Sequence, residues 1–257
     1  MCRDCNCGLP PAPEPVHRRD QPHSHAQEPG EPAHRLVELS QRLLARNDAL
    51  ADANRQRFRE AGLRVINLLS SPGSGKTALL ERLALELAGA LPMAVLVGDL
   101  ATDNDARRLR EAGLAAIAIS TGQICHLEAA MVQRGLAQLA DTGVALETLA
   151  LLVIENVGNL VCPAAYDLGE SLRVVLLSVT EGEDKPLKYP ALFQTADLVV
   201  ISKSDLAGPA GFQRDLALAN LARVAPRARI VELSARSSKG FGALLEALDL
   251  HPTALAG

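Results

Sequence analysis

The period of the hydrophobic positions changes along the chain, and each change marks an element. From His34 to Gly62, Leu36, Leu39, Leu43, Leu50 and Phe58 recur at helical spacing among Arg, Gln and Asp residues. That spacing predicts one long amphipathic helix over 34–62, with Gly62 as its cap. Beyond it come RVINLLS, MAVLVGD, AAIAIS, LALLVIE, RVVLLSV, ADLVVIS and ARIVELS, separated by helical stretches. Continuous Val/Ile/Leu runs, rather than two-residue alternation, belong to strands covered on both faces. The fold class expected is therefore α/β, with a mainly parallel seven-stranded sheet flanked by helices. Before the helix the periodicity is absent: prolines recur from Leu9 to Glu31, with His17, His23 and His25 among them. Three parts follow: a flexible tail and linker over 1–33, the helix over 34–62, and a domain over 63–257.

Composition narrows the function. Of 257 residues 48% are hydrophobic, enough for a sizeable core, whereas aromatics make up 2% and Trp is absent. A surface that stacks bases is thereby disfavoured, and a net charge of -4 with no basic stripe argues against nucleic acid as a partner. Charged Arg3 and Asp4 stand where a signal peptide would be apolar, and no unbroken run of apolar residues is long enough to span a bilayer. A cytoplasmic location away from membranes is expected. There thiols stay reduced, so an odd number of cysteines, three of them within the first seven residues, points to metal or redox chemistry rather than to disulfides.

SSPGSGKT, Ser70 to Thr77, follows the first strand and opens a helix, the context of a P-loop. Gly73 and Gly75 let the backbone of Gly73, Ser74, Gly75, Lys76, Thr77 and Ala78 curl around phosphates. Lys76 neutralises their oxygens, and the Thr77 hydroxyl suits Mg²⁺. Ser70 stands where the motif has its first glycine. The fold class sharpens to a P-loop NTPase.

At the end of the sixth strand, SKSD resembles the N-K-x-D guanine box, with Ser202 in place of Asn. A buried Asp205 would accept from the N1–H and exocyclic amine of guanine, a donor pair adenine lacks, which favours GTP over ATP. Lys203 covers the base, and Ser234 and Ala235 lie where GTPases carry a second base-contacting loop. ENVG supplies Glu155 for Mg²⁺ and the Gly158 amide for a γ-phosphate. GDLATDNDA supplies Asp99 to position Mg²⁺ or the attacking water, and Asp103 and Asp105 read either as helix caps or as catalytic acids. No Gln or Arg is obviously placed to stabilise the transition state, so slow intrinsic hydrolysis is expected.

Two further cysteines sit close to this machinery. Cys125 and His126 read as the start of a helix whose dipole favours a thiolate, and Cys162 lies four residues past Gly158. Three such ligands are one short of a tetrahedral Zn²⁺ site, so water or a second copy must complete it; incidental cysteines beside a surface His are the alternative. In the tail, Cys2, Cys5 and Cys7 form C-x-x-C-x-C. Three thiolates plus the α-amine left by Met1 removal suit square-planar Ni²⁺, with Zn²⁺ and Cu(I) competing. A frayed tail of reactive thiols is the other reading, and the linker histidines read more simply as solvated.

SSPGSGKT, GDLATDNDA, TGQICHLEAA, ENVGNLVCP and SVTEGEDKPLKYP together closely resemble the nickel-incorporation GTPases of hydrogenase maturation, the HypB family within the SIMIBI class. The resemblance implies a homodimer that delivers Ni²⁺ to the [NiFe]-hydrogenase large subunit under control of GTP hydrolysis, with a HypA-type zinc protein as partner. It implies that Cys125, His126 and Cys162 take Ni²⁺ or Zn²⁺, and that the tail thiols match the C-x-x-C-G-C nickel motif of some members, with Asn6 for glycine. The charged run Glu181 to Lys188 looks like a family signature, with a surface charge run as its plainer reading. Alternatives are a nickel-storage or buffering protein with weak NTPase activity, an accessory NTPase for urease or carbon monoxide dehydrogenase, and a small-molecule kinase.

Overall fold

The computed structural model describes residues 31–87 and 90–250. The tail ligands Cys2, Cys5 and Cys7 and the linker histidines His17, His23 and His25 lie outside them. The chain divides into two units, 1–39 and 40–257, of which the first is helical where described. Helix α1 runs Glu31–Glu60, a turn earlier at its start than the periodicity suggests. It stops at Gly62 as expected: Gly62 N–H donates to Arg59 O at 3.0 Å and Leu63 N–H to Phe58 O at 2.9 Å, the paired bonds that satisfy a helix's last carbonyls. Phe58, 2% exposed, seats that last turn in the core, and its loss would cost about 3–5 kcal/mol.

Seven strands follow: β1 Arg64–Ser70, β2 Met93–Asp99, β3 Ala115–Ser120, β4 Leu151–Glu155, β5 Leu172–Ser178, β6 Leu198–Ser202 and β7 Arg229–Glu232. All pair in parallel, in the order β3-β2-β4-β1-β5-β6-β7. Parallel neighbours need crossovers. These include α2 (Lys76–Leu87), α3 (Asn104–Glu111), α4 (Ala129–Asp141), the short α5 (Lys185–Lys188) and α6 (Pro190–Gln194), and α7 (Arg214–Val224), with α8 (Phe241–Ala247) after β7.

Both sheet faces are buried, as the unbroken apolar runs require. Ile66 and Leu68 of β1 point into one layer with Leu79, Leu80 and Leu83 of α2, Leu109 of α3 and Leu244 of α8. Their neighbours point the other way: Val65 joins Phe58 and the α4 side chains Met131, Val132 and Leu136, and Leu69 joins Phe193 and Leu221. Polar residues end the strands: Ser70, Asp99, Glu155, Ser178 and Ser202 all lie at the carboxyl edge. With β1 between β4 and β5, Leu68 stands opposite Glu155 and Ser70 opposite Leu176. The loops leaving this edge therefore converge over β1. Among the described residues no helix is long and apolar enough to cross a membrane.

Candidate functional site

The loop between β1 and α2 is the floor of a cavity of about 470 Å³ lined by Gly73, Gly75, Lys76, Thr77, Ala78, Asp99, Glu155 and Gly158, and also by Asp105 and Arg108. Gly73 and Gly75 hold φ of +73° and +98°, conformations that suit residues without Cβ. Ser70, wholly buried, accounts for the missing first glycine: its Oγ accepts from Lys76 Nζ at 3.1 Å and donates to Ser71 O at 2.7 Å. The hydroxyl thus holds the lysine down in the floor.

Charge at the phosphate end is out of balance. Burial lowers the Lys76 ammonium below its usual range, against the pull of Glu155, Asp105, Glu181 and Asp99. Burial also pushes the Glu155 carboxyl up to about 7, although Lys76 and the Thr77 hydroxyl favour its charged form. Thr77 Oγ1 donates to Glu155 Oε1 at 2.9 Å, while the buried Glu155 Oε2 has no hydrogen-bond partner. A hydroxyl and a carboxylate with one oxygen orphaned fit a divalent cation with oxygen preference.

Asp99 is placed differently. Its Oδ1 accepts from Ala101 N–H at 2.9 Å and from Thr102 N–H and hydroxyl at 2.7 and 3.2 Å. Burial raises this carboxyl, but those donors and Lys76 win and hold it below the usual range. Neither acid behind it caps α3. Asp103 occupies the cap position without a side-chain bond there, because Arg110 holds its carboxylate at 2.8 Å, and Asp105 pairs with Arg108 at 3.4 Å. Arg108, which the motifs do not single out, also lines the cavity.

On the far side of the P-loop, Lys203 adopts φ +57° and donates to Gly73 O at 2.7 Å, which lays its stem across the glycines. Ser202, where the guanine box has Asn, donates to Ser74 O at 2.8 Å. Asp205 accepts from Ser234 Oγ at 2.5 Å, and Ala235 follows on the same loop. The carboxylate is exposed here, which corrects the expectation of a buried Asp205.

Glu181 was legible only as part of a charged run. Its carboxylate accepts from Ser71 Oγ at 3.0 Å and Ser74 Oγ at 2.5 Å, clamping the P-loop from the loop after β5. Lys188 pairs with exposed Asp184, and Lys185 lies over the Tyr189 ring at 5.3 Å.

Cys125, His126 and Cys162 come together: their ligand atoms lie within 4.8 Å of one another, and the two Sγ atoms are 2.9 Å apart. The helix-dipole argument for Cys125 is corrected. Helix α4 begins at Ala129 with Glu128 at its cap, so Cys125 lies in the preceding loop, beyond reach of a dipole that fades within the first turn. The neighbouring Cys162 thiol, with some burial, raises its pKa. His126 is kept neutral by burial. Both its ring nitrogens are buried without hydrogen bonds, its ring lies 3.9 Å from that of Tyr166, and Glu128 Oε1 stands 3.8 Å from Nε2. A neutral imidazole without partners beside two thiols fits a soft or borderline metal.

Two asparagines connect this cluster to the cavity. Asn156 Oδ1 accepts from Val157 N–H at 3.0 Å and Leu127 N–H at 3.1 Å, and Asn159 Nδ2 donates to Cys125 O at 3.2 Å. A second chain starts at Asn156 Nδ2, which donates to Asn67 at 3.3 Å; Asn67 donates to Glu170, which accepts from Arg173. Arg173 in turn donates to Ala164 O and Tyr166 O, beyond Cys162. The only hint of it in the sequence is an Asn inside the apolar run RVINLLS.

Comparison with known proteins now bears on the site. Residues 64–232 match the family described as CobW/HypB/UreG, nucleotide-binding domain. The hydrogenase maturation factor HypB of Azotobacter vinelandii is 49% identical over 219 residues, 85% of this chain and 71% of that protein. The chain belongs to the HypB family. Two solved HypB structures superpose on it. That of Helicobacter pylori HypB in complex with nickel matches with TM-score 0.75 and 44% identity over 79% of this chain and 95% of the other. That of Archaeoglobus fulgidus HypB matches with TM-score 0.72 and 40% identity over 80% and 98%.

Proposed function

We propose that this HypB-family chain is a GTP-hydrolysing nickel chaperone that loads Ni²⁺ into the [NiFe]-hydrogenase large subunit, its grip on the metal set by the nucleotide. One observation carries the reading: the Cys125–His126–Cys162 cluster is hydrogen-bonded through Asn156 and Asn159 to the segment that walls the phosphate cavity. A storage protein would need no such connection.

In this reading the P-loop amides and Lys76 hold the β- and γ-phosphates, the Gly158 amide faces the γ-phosphate, and Asp205, Lys203, Ser234 and Ala235 select guanine. Thr77 and Glu155 hold Mg²⁺, which neutralises phosphate charge when bound. Glu155 must lose its proton to do so, and Asp99 fixes the loop beside the attacking water. Loss of γ-phosphate frees Gly158, and Asn159 and Asn156 pass that movement to the carbonyl of Cys125 and the amide of Leu127. Cys125, His126 and Cys162 take Ni²⁺ as cargo, with Zn²⁺ as competitor. A fourth ligand comes from water or from a second copy in a homodimer. Cys2, Cys5 and Cys7 of the tail (1–33) hold Ni²⁺ for the G domain (63–257), and a HypA-type protein is the expected partner in transfer. Intrinsic turnover is slow.

The test is metal analysis with gel filtration of the metal-free, Ni²⁺-loaded and GTP-analogue forms, alongside GTP turnover of wild type and Lys76→Ala. Nickel occupancy that changes between GDP and the analogue, and turnover that vanishes without Lys76, support the proposal. Equal occupancy in both nucleotide states refutes it.

A further inference from the structure

Arg108 has the position of a residue that the hydrolysis needs and the motifs do not supply. It projects from α3 into the wall of the cavity that holds Lys76, Thr77, Glu155 and Gly158. It is near enough to Glu155 for its charge to favour that carboxylate's ionised form. Its guanidinium is engaged elsewhere: Nε and Nη2 donate to the two oxygens of Glu81 at 3.0 and 2.8 Å, and Nη1 approaches Asp105 at 3.4 Å. Glu81 belongs to α2, the helix that the P-loop opens. The guanidinium therefore waits beside the phosphate end, paired with a carboxylate carried by the P-loop's own helix. Both partners are partly exposed, 45% for Arg108 and 29% for Glu81, so exchanging one for a phosphate oxygen costs little.

We propose that Arg108 is a catalytic arginine acting within its own chain: when GTP fills the cavity it leaves Glu81 and donates to the γ-phosphate. In the step, a water oxygen forms a bond to the γ-phosphorus and the bond from that phosphorus to the β–γ bridging oxygen breaks. The electron pair stays on GDP, and the water proton ends on the released phosphate. Charge accumulates on the equatorial and bridging oxygens, where a planar fork of donors is worth most. The Glu81 pair competes for the same fork, which gives a physical reason for slow basal turnover.

This inference rests on the reading of the chain as a GTPase, so wild-type hydrolysis is measured first; no turnover at all would overturn both. Given turnover, Arg108→Ala is expected to lower kcat roughly a hundredfold, with affinity for a GTP analogue and Tm nearly unchanged, and Arg108→Lys to recover part of the loss. Wild-type kcat in Arg108→Ala, or a loss confined to KM, would overturn the proposal while leaving the GTPase reading intact. Should that variant fail to fold, Glu81→Gln decides. Releasing the fork should raise kcat several-fold, and a kcat at or below wild type would refute it.

Discussion

Asn156 Oδ1 accepts the backbone N–H of Leu127 at 3.1 Å, a bond that crosses from the strand end carrying Glu155 to the loop carrying Cys125 and His126. Asn156 is 1% exposed, so water cannot replace it. Because one oxygen serves both Val157 and Leu127, a shift of the first amide alters the bond to the second. The Cys125–His126–Cys162 cluster and the wall of the P-loop cavity thereby share one side chain.

Replacing that side chain separates the two sites. Asn156→Ala leaves two buried amides and the Oδ1 of Asn67 without the partners they have here, at about 1–3 kcal/mol for each group left unpaired. A lowered Tm and a Ni²⁺ affinity that no longer differs between GDP and a GTP analogue are expected. Persistence of the wild-type difference would mean that Asn159, through its bond to Cys125 O, carries the coupling alone.

Gly158 meets the P-loop directly. A Cβ there would lie 2.9 Å from both Cα and N of Pro72, and backbone on both sides cannot swing aside. Gly158→Ala must displace either the P-loop or the segment leading to Cys162. Since a 1 Å misplacement of reacting groups costs on the order of a hundredfold, turnover should fall by about that factor with the chain still folded. Wild-type turnover would show that the two segments separate during the reaction anyway.

Asp205 is expected to set the preference for guanine. Asp205→Asn exchanges an acceptor pair for an amide that cannot accept both guanine protons, and preference for GTP over ATP should drop by about a hundredfold. Competition of each nucleotide against a fluorescent GDP analogue measures it. An unchanged ratio would place base recognition elsewhere.

How much of this was legible in sequence depended on whether the signal was local. β1, β2 and β3 begin and end at the residues of RVINLLS, MAVLVGD and AAIAIS, because a largely apolar run that closes on a polar residue, Ser70, Asp99 or Ser120, carries its own signal for a strand covered by helices. The P-loop was legible for the same reason, since Gly73 to Thr77 carry their chemistry in adjacent residues. Glu181, Arg108 and Asn156 act on partners far away in sequence: Glu181 reaches Ser74 across 107 positions. Nothing in the residues flanking them announces that. The Cys125 error has the same root, because the loop from Thr121 to Glu128 delays the helix and no local pattern marks its start.

The buried acid at the end of β4 makes stability depend on pH in the direction opposite to an ordinary salt-bridged carboxylate. Glu155 titrates near its usual 4.5 when unfolded and at about 7 in the fold. Between those values the folded chain binds the extra proton, so stability falls as pH rises through the window, and the full penalty is present above it. Glu155→Gln removes the charge and keeps an acceptor for Thr77. In nucleotide-free protein with chelator, it should match wild type near pH 4.5 and gain on it towards pH 8. The shift corresponds to about 3 kcal/mol, reduced because Lys76 loses a counter-charge, so a gain of about 1–3 kcal/mol is expected. Urea denaturation at both ends of the window reads it. A gain that shrinks with rising pH would mean that Lys76 already holds Glu155 ionised. The cavity would then bind its cation without releasing a proton.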